Sequence, residues 1–345
     1  MNQSLAVKYR PRTFSDVVEQ GITVKILNKV IDTGKPKNAY LFAGESGCGK
    51  TTLARCFANA LNNGIGEPIE IDAASNNGVD QVRAIIESAN QRSLTSTYKI
   101  FIIDEAHAIT SAGWQAFLKG IEEPPAYTIY MFCTTEPNKI PQTILNRVQR
   151  YNITKISPDG IKARLEAICQ AEGFVNYLDT CDIISKICNG CMRDAITLLD
   201  QCADLSKDLS IDNTKDILGD VSFETMFKLT NALIDSKEDE VFAIIERLSA
   251  SGCDLKQFIN IYLRFVLDLT KYIIFKDIKV TTIPAYLETI QDTSINIRYT
   301  TAIENSLNWF NKLSDRILEI KTAIKYDTSY KSTIEAYLLK TCRGI

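Results

Sequence analysis

The stretch that most constrains this chain is Gly44-Glu45-Ser46-Gly47-Cys48-Gly49-Lys50-Thr51, set between the apolar run Ala39-Tyr40-Leu41-Phe42-Ala43 and a helix-forming segment from about Thr52. It is a complete G-x-x-x-x-G-K-[ST] loop in the strand-to-helix setting such a loop requires. Glycines let successive backbone N–H groups turn inward around phosphate oxygens, and the start of the helix adds its own unpaired N–H groups. Lys50 brings a mobile positive charge to the terminal phosphates, and the Thr51 hydroxyl can ligate Mg2+. Residues Gly44 to Thr52 are therefore expected to bind a nucleotide, with ATP and Mg2+ as ligands.

A second element ends in acid. Lys99-Ile100-Phe101-Ile102-Ile103-Asp104-Glu105 places four apolar residues before two carboxylates, the pattern of a central parallel strand that delivers acids to its carboxyl edge. It reads as a Walker B element. Asp104 is expected to position Mg2+ and Glu105 to polarise an attacking water, which points to hydrolysis as well as binding.

Around these motifs, residues 20 to 155 alternate between helical and strand patterns. Strands are expected near 39–43, 69–71, 99–103, 128–133 and 149–153, with helices at 52–62, 79–90 and 112–121 between them. Such alternation implies an α/β domain, a parallel sheet flanked by helices, with ligands at the carboxyl ends of its strands. After Ser157-Pro158-Asp159, a helix-start signature, amphipathic helices follow one another. Beyond Ser222 the chain is again helical, and Leu307, Phe310, Leu313, Ile317, Ile320 and Ile324 form one apolar stripe, expected in a core or at a subunit contact. The expected division is an ATPase domain over 1–155, a small helical domain over 156–220 and an all-α domain over 221–345.

Composition excludes several alternatives. With 45% hydrophobic and 23% charged residues the chain is of globular type, and no apolar run approaches the roughly 18 to 20 residues that span a bilayer. The first residues lack a signal-peptide core, so a cytoplasmic location and no membrane partner are expected. The ten cysteines are scattered singly, apart from Cys188-x-x-Cys191, and read as reduced thiols. One histidine, His107, leaves little room for histidine metal clusters or a Ser-His hydrolase. The first 155 residues hold 17 basic and 14 acidic side chains and the remainder 22 and 28, compatible with a first part facing a polyanion and a second facing protein.

Taken together, Lys8-Tyr9-Arg10-Pro11 with Phe14-Ser15-Asp16-Val17-Val18, the phosphate loop, Glu70-Ile71-Asp72-Ala73-Ala74-Ser75-Asn76, Asp104-Glu105-Ala106-His107 and Leu118-Lys119-Gly120-Ile121-Glu122-Glu123-Pro124-Pro125 resemble the ATPase subunits of sliding-clamp loaders. The pattern is similar to the DNA polymerase III gamma/tau family, and at one remove to replication factor C small subunits. The resemblance, dense over residues 5–205, implies an AAA+ P-loop fold followed by a helical lid and a C-terminal collar. It implies a DNA-stimulated ATPase that opens a sliding clamp and places it on primer-template DNA, within an assembly, expected to be pentameric, of other clamp-loader subunits.

The resemblance also assigns residues. Tyr9, Arg10, Pro11 and Val18 fall at the nucleotide. Thr135 falls at sensor 1, where a hydroxyl at a strand end can reach the terminal phosphate or the water, with strand capping as the alternative. Arg193 falls at sensor 2 on the lid, with an intrahelical ion pair as the alternative. Arg147 matches the arginine finger offered to a neighbouring subunit, although its neighbours Asn146 and Val148 depart from the family's Ser-Arg-Cys, and Arg150 is a rival. Arg83 and Asn77 match the helix start that tracks DNA phosphates without reading sequence. The direct connection Ala60 to Pro68 replaces the family's four-cysteine module, so zinc is not expected. The end soon after the third region suggests a minimal, gamma-length loader.

Overall fold

The computed structural model describes residues 3–188, 190–218, 223–251, 253–275, 303–325 and 327–344. Its backbone contacts gather into two units, Met1–Thr214 and Lys215–Ile345.

The first unit is built on five strands: β1 (Ala39–Ala43), β2 (Ile69–Asp72), β3 (Lys99–Asp104), β4 (Thr128–Thr134) and β5 (Gln149–Asn152). All pairings are parallel and the order across the sheet is β2-β3-β4-β1-β5. Every residue of β1 and β4 is buried, which is why these two strands read as unbroken apolar runs, whereas the edge strand β2 alternates and is largely exposed.

After a short N-terminal α1 (Leu5–Lys8), helices cover both faces: α2 (Gly21–Thr33) precedes the sheet, then α3 (Lys50–Leu61), α4 (Val79–Ala89), α5 (Ser111–Glu122) and α6 (Gln142–Leu145) alternate with strands. Successive strand residues point to opposite faces, so Leu41, Phe101, Ile103, Tyr130 and Phe132 meet α4 and α5, while Tyr40, Phe42, Ile100, Ile102 and Met131 meet α2 and α3. Helix α5 shows the local logic: Thr110 caps it by accepting from Gly113 N at 3.1 Å, and Trp114, Phe117 and Ile121 recur on the face it buries. Burying a side chain such as Phe117 contributes about 1.5–3 kcal/mol.

The register sets the site. Ala43 of β1 pairs with Thr134 of β4, and Asp72 of β2 with Asp104 of β3, so the strands deliver the loop after Ala43, the pair Thr134-Thr135 and Asp104-Glu105 to the same edge of the sheet.

After the sheet the chain continues in helices: α7 (Pro158–Glu172), α8 (Leu178–Ile187), α9 (Met192–Leu205) and α10 (Ile211–Leu218). Ser157 caps α7 with Pro158 at its first turn, and Gly173, in the left-handed region at φ 72°, ends it. Ile161, Leu165, Ile168, Cys169, Cys181, Ile184 and Leu199 are buried between these helices.

The described residues of the second unit form α11 (Phe223–Ile234), α12 (Glu238–Ala250), α13 (Leu255–Phe275), α14 (Ile303–Ala323) and α15 (Tyr330–Gly344). The stripe read from the sequence lies on α14, where Phe310, Leu313, Ile317 and Ile320, with Ile324 just past the helix end, are buried within the unit's own core. No helix among the described residues is long and apolar enough to cross a membrane.

Candidate nucleotide-binding site

The loop from Gly44 to Gly49 joins β1 to α3, and two of its glycines have positive φ: Gly47 at 68° and Gly49, the residue before α3, at 97°. Only glycine takes these conformations without strain. A methyl group on Gly44 would strike Ile153 O, and one on Gly47 would strike Cys191 Sγ, so the loop is also packed too closely for side chains there. At Gly49 the space a side chain would fill is open.

Lys50 begins α3 two residues earlier than the periodicity suggested, because Gly49 supplies the turn into the helix. Its side chain is buried, and Nζ donates to Glu45 O at 2.7 Å, inside the loop. A buried ammonium held by one of the loop's own carbonyls stands ready to exchange that acceptor for a phosphate oxygen. At the next residue, Thr51 Oγ1 donates to Asp104 Oδ2 at 2.8 Å, bringing a hydroxyl and a carboxylate together as the hard oxygen donors that suit Mg2+. Glu105 follows at φ 47°, a left-handed turn that lifts its carboxylate off the strand line, where Thr135 Oγ1 donates to Oε2 at 3.3 Å. His107 Nδ1 lies 3.3 Å from the same Oε2, and Nε2 lies 3.4 Å from Glu136 Oε1.

Lys50, Thr51, Asp104 and Glu105 open onto a cavity of about 540 Å3 whose wall also includes Tyr9, Arg10, Pro11, Val18, Ser46 to Gly49, Thr52 and Arg193. Its electrostatics suit an anion. Burial holds the Arg10 guanidinium below arginine's ordinary pKa, and the nearby charges of Arg55 and Arg193 push the same way against Glu70 and Asp104. Arg55 pairs with Glu70, yet its Nε is buried with no hydrogen-bond partner. The residues present therefore fit a magnesium nucleotide: an open cradle, a buried lysine, a hydroxyl–carboxylate pair, and mutually repelling arginines with a donor to spare.

Comparison with known proteins covers about three quarters of the chain. A family model described as DNA polymerase III, delta subunit, matches residues 67–157. The DNA polymerase III subunit tau of Bacillus subtilis is 36% identical over 292 residues, covering 78% of this chain and 52% of that protein. The DNA polymerase III subunit gamma of Buchnera aphidicola is 31% identical over 286 residues, covering 76% of this chain and 79% of that protein. The chain belongs to the DNA polymerase III gamma/tau family. It spans about half the length of the longer gamma/tau proteins it matches, 52% of the Bacillus chain and 51% of its Mycoplasma genitalium counterpart. Among solved structures, the RuvB Holliday junction branch migration motor of Thermotoga maritima superposes with a TM-score of 0.53 at 17% identity, covering 75% of this chain and 90% of that one. With the parallel sheet and the helical regions after it, the fold is that of AAA+ ATPases.

The remaining expected residues of this gamma/tau family member divide by position. Gly44, Glu45 and Thr135 line a neighbouring hollow of about 380 Å3 with Arg150 and Lys155, and Lys155 Nζ pairs with Glu45 Oε2 at 2.8 Å. Arg147 lies outside both hollows, paired with Glu122 Oε1 at 2.6 Å and donating to Thr143 O at 2.8 Å. Arg83, on α4, is exposed and reaches Asp80 Oδ1 at 3.4 Å. Asn77 accepts through its backbone oxygen from Thr110 N and Thr110 Oγ1, both at 3.1 Å.

Arg55, Arg164 and Glu70 also line the main cavity; the first two have no place among the residues read from the sequence, and Glu70 only one within a family motif. Arg55 had a signal, since it follows Thr51 by four positions and shares its helix face. For Arg164 there was none, because α7 lies more than a hundred residues further along the chain. The ten cysteines are free thiols, and among the described residues no group of three or more His, Cys, Asp or Glu is placed to hold a metal ion.

Proposed function

We propose that this chain binds magnesium ATP in the cavity above the β1 and β3 strand ends, hydrolyses it, and works as one subunit of a multi-subunit loader that opens a sliding clamp and sets it on primer-template DNA. The observation that supports this most directly is the convergence of Lys50, Thr51, Asp104 and Glu105 with Arg10 and Arg193 on one cavity.

In this reading the ligand, when bound, supplies a phosphoryl group polarised by its divalent ion. Lys50 leaves Glu45 O for the terminal phosphates, and the loop N–H groups hold the rest of the chain of phosphates. Thr51 and Asp104 hold the ion. Glu105 takes a proton from the attacking water while Thr135 orients its carboxylate. Arg193, on α9, reports the terminal phosphate to the helical region, which acts as a lid; Met192 N already donates to Gly47 O at 3.2 Å, so the start of α9 touches the phosphate loop. Arg147 completes the site of an adjacent subunit, where its charge offsets that of the transferred oxygens. Arg83 and the backbone around Asn77 meet DNA phosphates, contacts that carry no sequence preference.

The test is nucleotide binding and steady-state ATPase activity with and without primed DNA and clamp. Lys50→Ala is expected to lose nucleotide binding, and Glu105→Gln to keep binding and lose turnover. Equal nucleotide affinity in wild type and the Lys50 variant would overturn the assignment. Binding without any stimulated turnover in the wild type would favour an ATP-binding structural subunit instead.

A further inference from the structure

The N-terminal arm that walls the cavity is fastened to the helical bundle α7–α9 and not to the sheet. Leu5 N donates to Asp200 Oδ2 on α9 at 3.0 Å, and the Leu5 side chain is buried. Lys8 Nζ and Tyr9 Oη both donate to Glu172 Oε1, the last residue of α7, each at 2.6 Å. Arg164 Nη2, also on α7, donates to Tyr9 O at 2.9 Å. Two residues later the attachment changes: Cys56 Sγ on α3 lies 3.5 Å from both Pro11 O and Thr13 O, and Asn59 Nδ2 donates to Arg12 O at 3.3 Å.

Arg10 is thus the joint between a segment held by the bundle and a segment held by α3, with Pro11 stiffening the step through its fixed φ. It is also one of the half-buried cations of the cavity.

Glu172 stands where a carboxylate is least welcome, at the negative end of the α7 dipole. The hydrogen bonds from Lys8 and Tyr9 nevertheless hold it below the usual carboxylate pKa, so the anion is kept for these partners.

We propose that Glu172 is a positioning residue for the nucleotide: it clamps Lys8 and Tyr9 to α7, so that Arg10 reaches the cavity on the same body that carries Arg193. Two cations, from the two ends of the first unit's sequence, then approach the ligand together, in the cavity that Lys50 and Arg55 also line. The proposal rests on the reading that the cavity binds ATP.

The test uses the full chain with Mg-ATP, measuring affinity with a fluorescent ATP analogue together with KM and kcat for wild type, Glu172→Ala, Tyr9→Phe, Arg10→Ala and Arg10→Ala/Glu172→Ala. Losing the clamp is expected to raise KM about three- to tenfold with kcat changed less than about twofold, the signature of lost uniform binding. Tyr9→Phe, which removes one oxygen, is expected to act in the same direction. On the Arg10→Ala background, Glu172→Ala is expected to add nothing further, because it acts through Arg10. A wild type that binds ATP with unchanged KM in both Glu172→Ala and Tyr9→Phe overturns this proposal and leaves the ATP site standing. Independent, additive losses from Arg10→Ala and Glu172→Ala overturn it too, whereas a wild type that binds no ATP removes the reading beneath it.

Discussion

Thr51 and Asp104, 53 residues apart in sequence, are joined by a hydrogen bond of 2.8 Å from Oγ1 to Oδ2. The bond links the first turn of α3 to the end of β3 across the intervening β4. It holds the two oxygens where one ion can take both.

Asp104→Asn keeps an oxygen to accept from Thr51 but removes the charge. The Mg2+ concentration for half-maximal ATPase activity is expected to rise about tenfold or more, with the thermal midpoint little changed. An unaltered Mg2+ titration would count against Asp104 as an ion ligand.

Gly47 combines positive φ with close contact to Cys191. Gly47→Ala is expected to cost about 1–3 kcal/mol in unfolding experiments and to impair nucleotide binding. Adding Cys191→Ala removes the collision and leaves the backbone strain, so the double variant should recover part of the loss. Complete recovery would show that φ at Gly47 contributes nothing.

Arg147 and Glu122 form an ion pair with both side chains close to half exposed, at 40% and 46%. Such a pair contributes at most about 1 kcal/mol, so Arg147→Ala should fold normally. If Arg147 serves a neighbour, mixing Arg147→Ala with Glu105→Gln, each inactive alone, should restore turnover at interfaces that pair an intact Glu105 with an intact Arg147. A mixture as inactive as its components would refute the finger.

Burial raises the thiols of Cys56, Cys191 and Cys202 to about 11 and that of Cys188 to about 12, from an ordinary 9.0. The folded chain then keeps protons that the unfolded chain releases, so this stabilisation is complete below pH 9.0 and is lost as pH climbs through 9.0 toward the folded values. The melting temperature should fall on the alkaline side, and the fall should be shallower in a Cys56→Ala/Cys202→Ala variant than in wild type. Identical slopes would exclude the thiols as the cause.

Much of the fold is legible because its signals are local. β1, β3 and β4 are buried on both faces and so read as apolar runs of strand length, and the loop after Ala43 names the sheet edge where ligands gather. The family motifs add the acids of β3 and the Tyr9-Arg10-Pro11 segment. What the sequence hides is long-range pairing. The bond between Tyr9 and Glu172 crosses 163 residues and involves two ordinary surface residue types in no recognisable spacing. The order β2-β3-β4-β1-β5 is likewise silent in a chain whose strands succeed one another evenly.

That order has a mechanical meaning. With β4 between them, β1 and β3 are two strand spacings apart, about 10 Å, a width locked by the ladder of backbone bonds. The floor beneath the phosphates is therefore rigid, and any tightening around a guest must come from the roof that the arm and α9 provide.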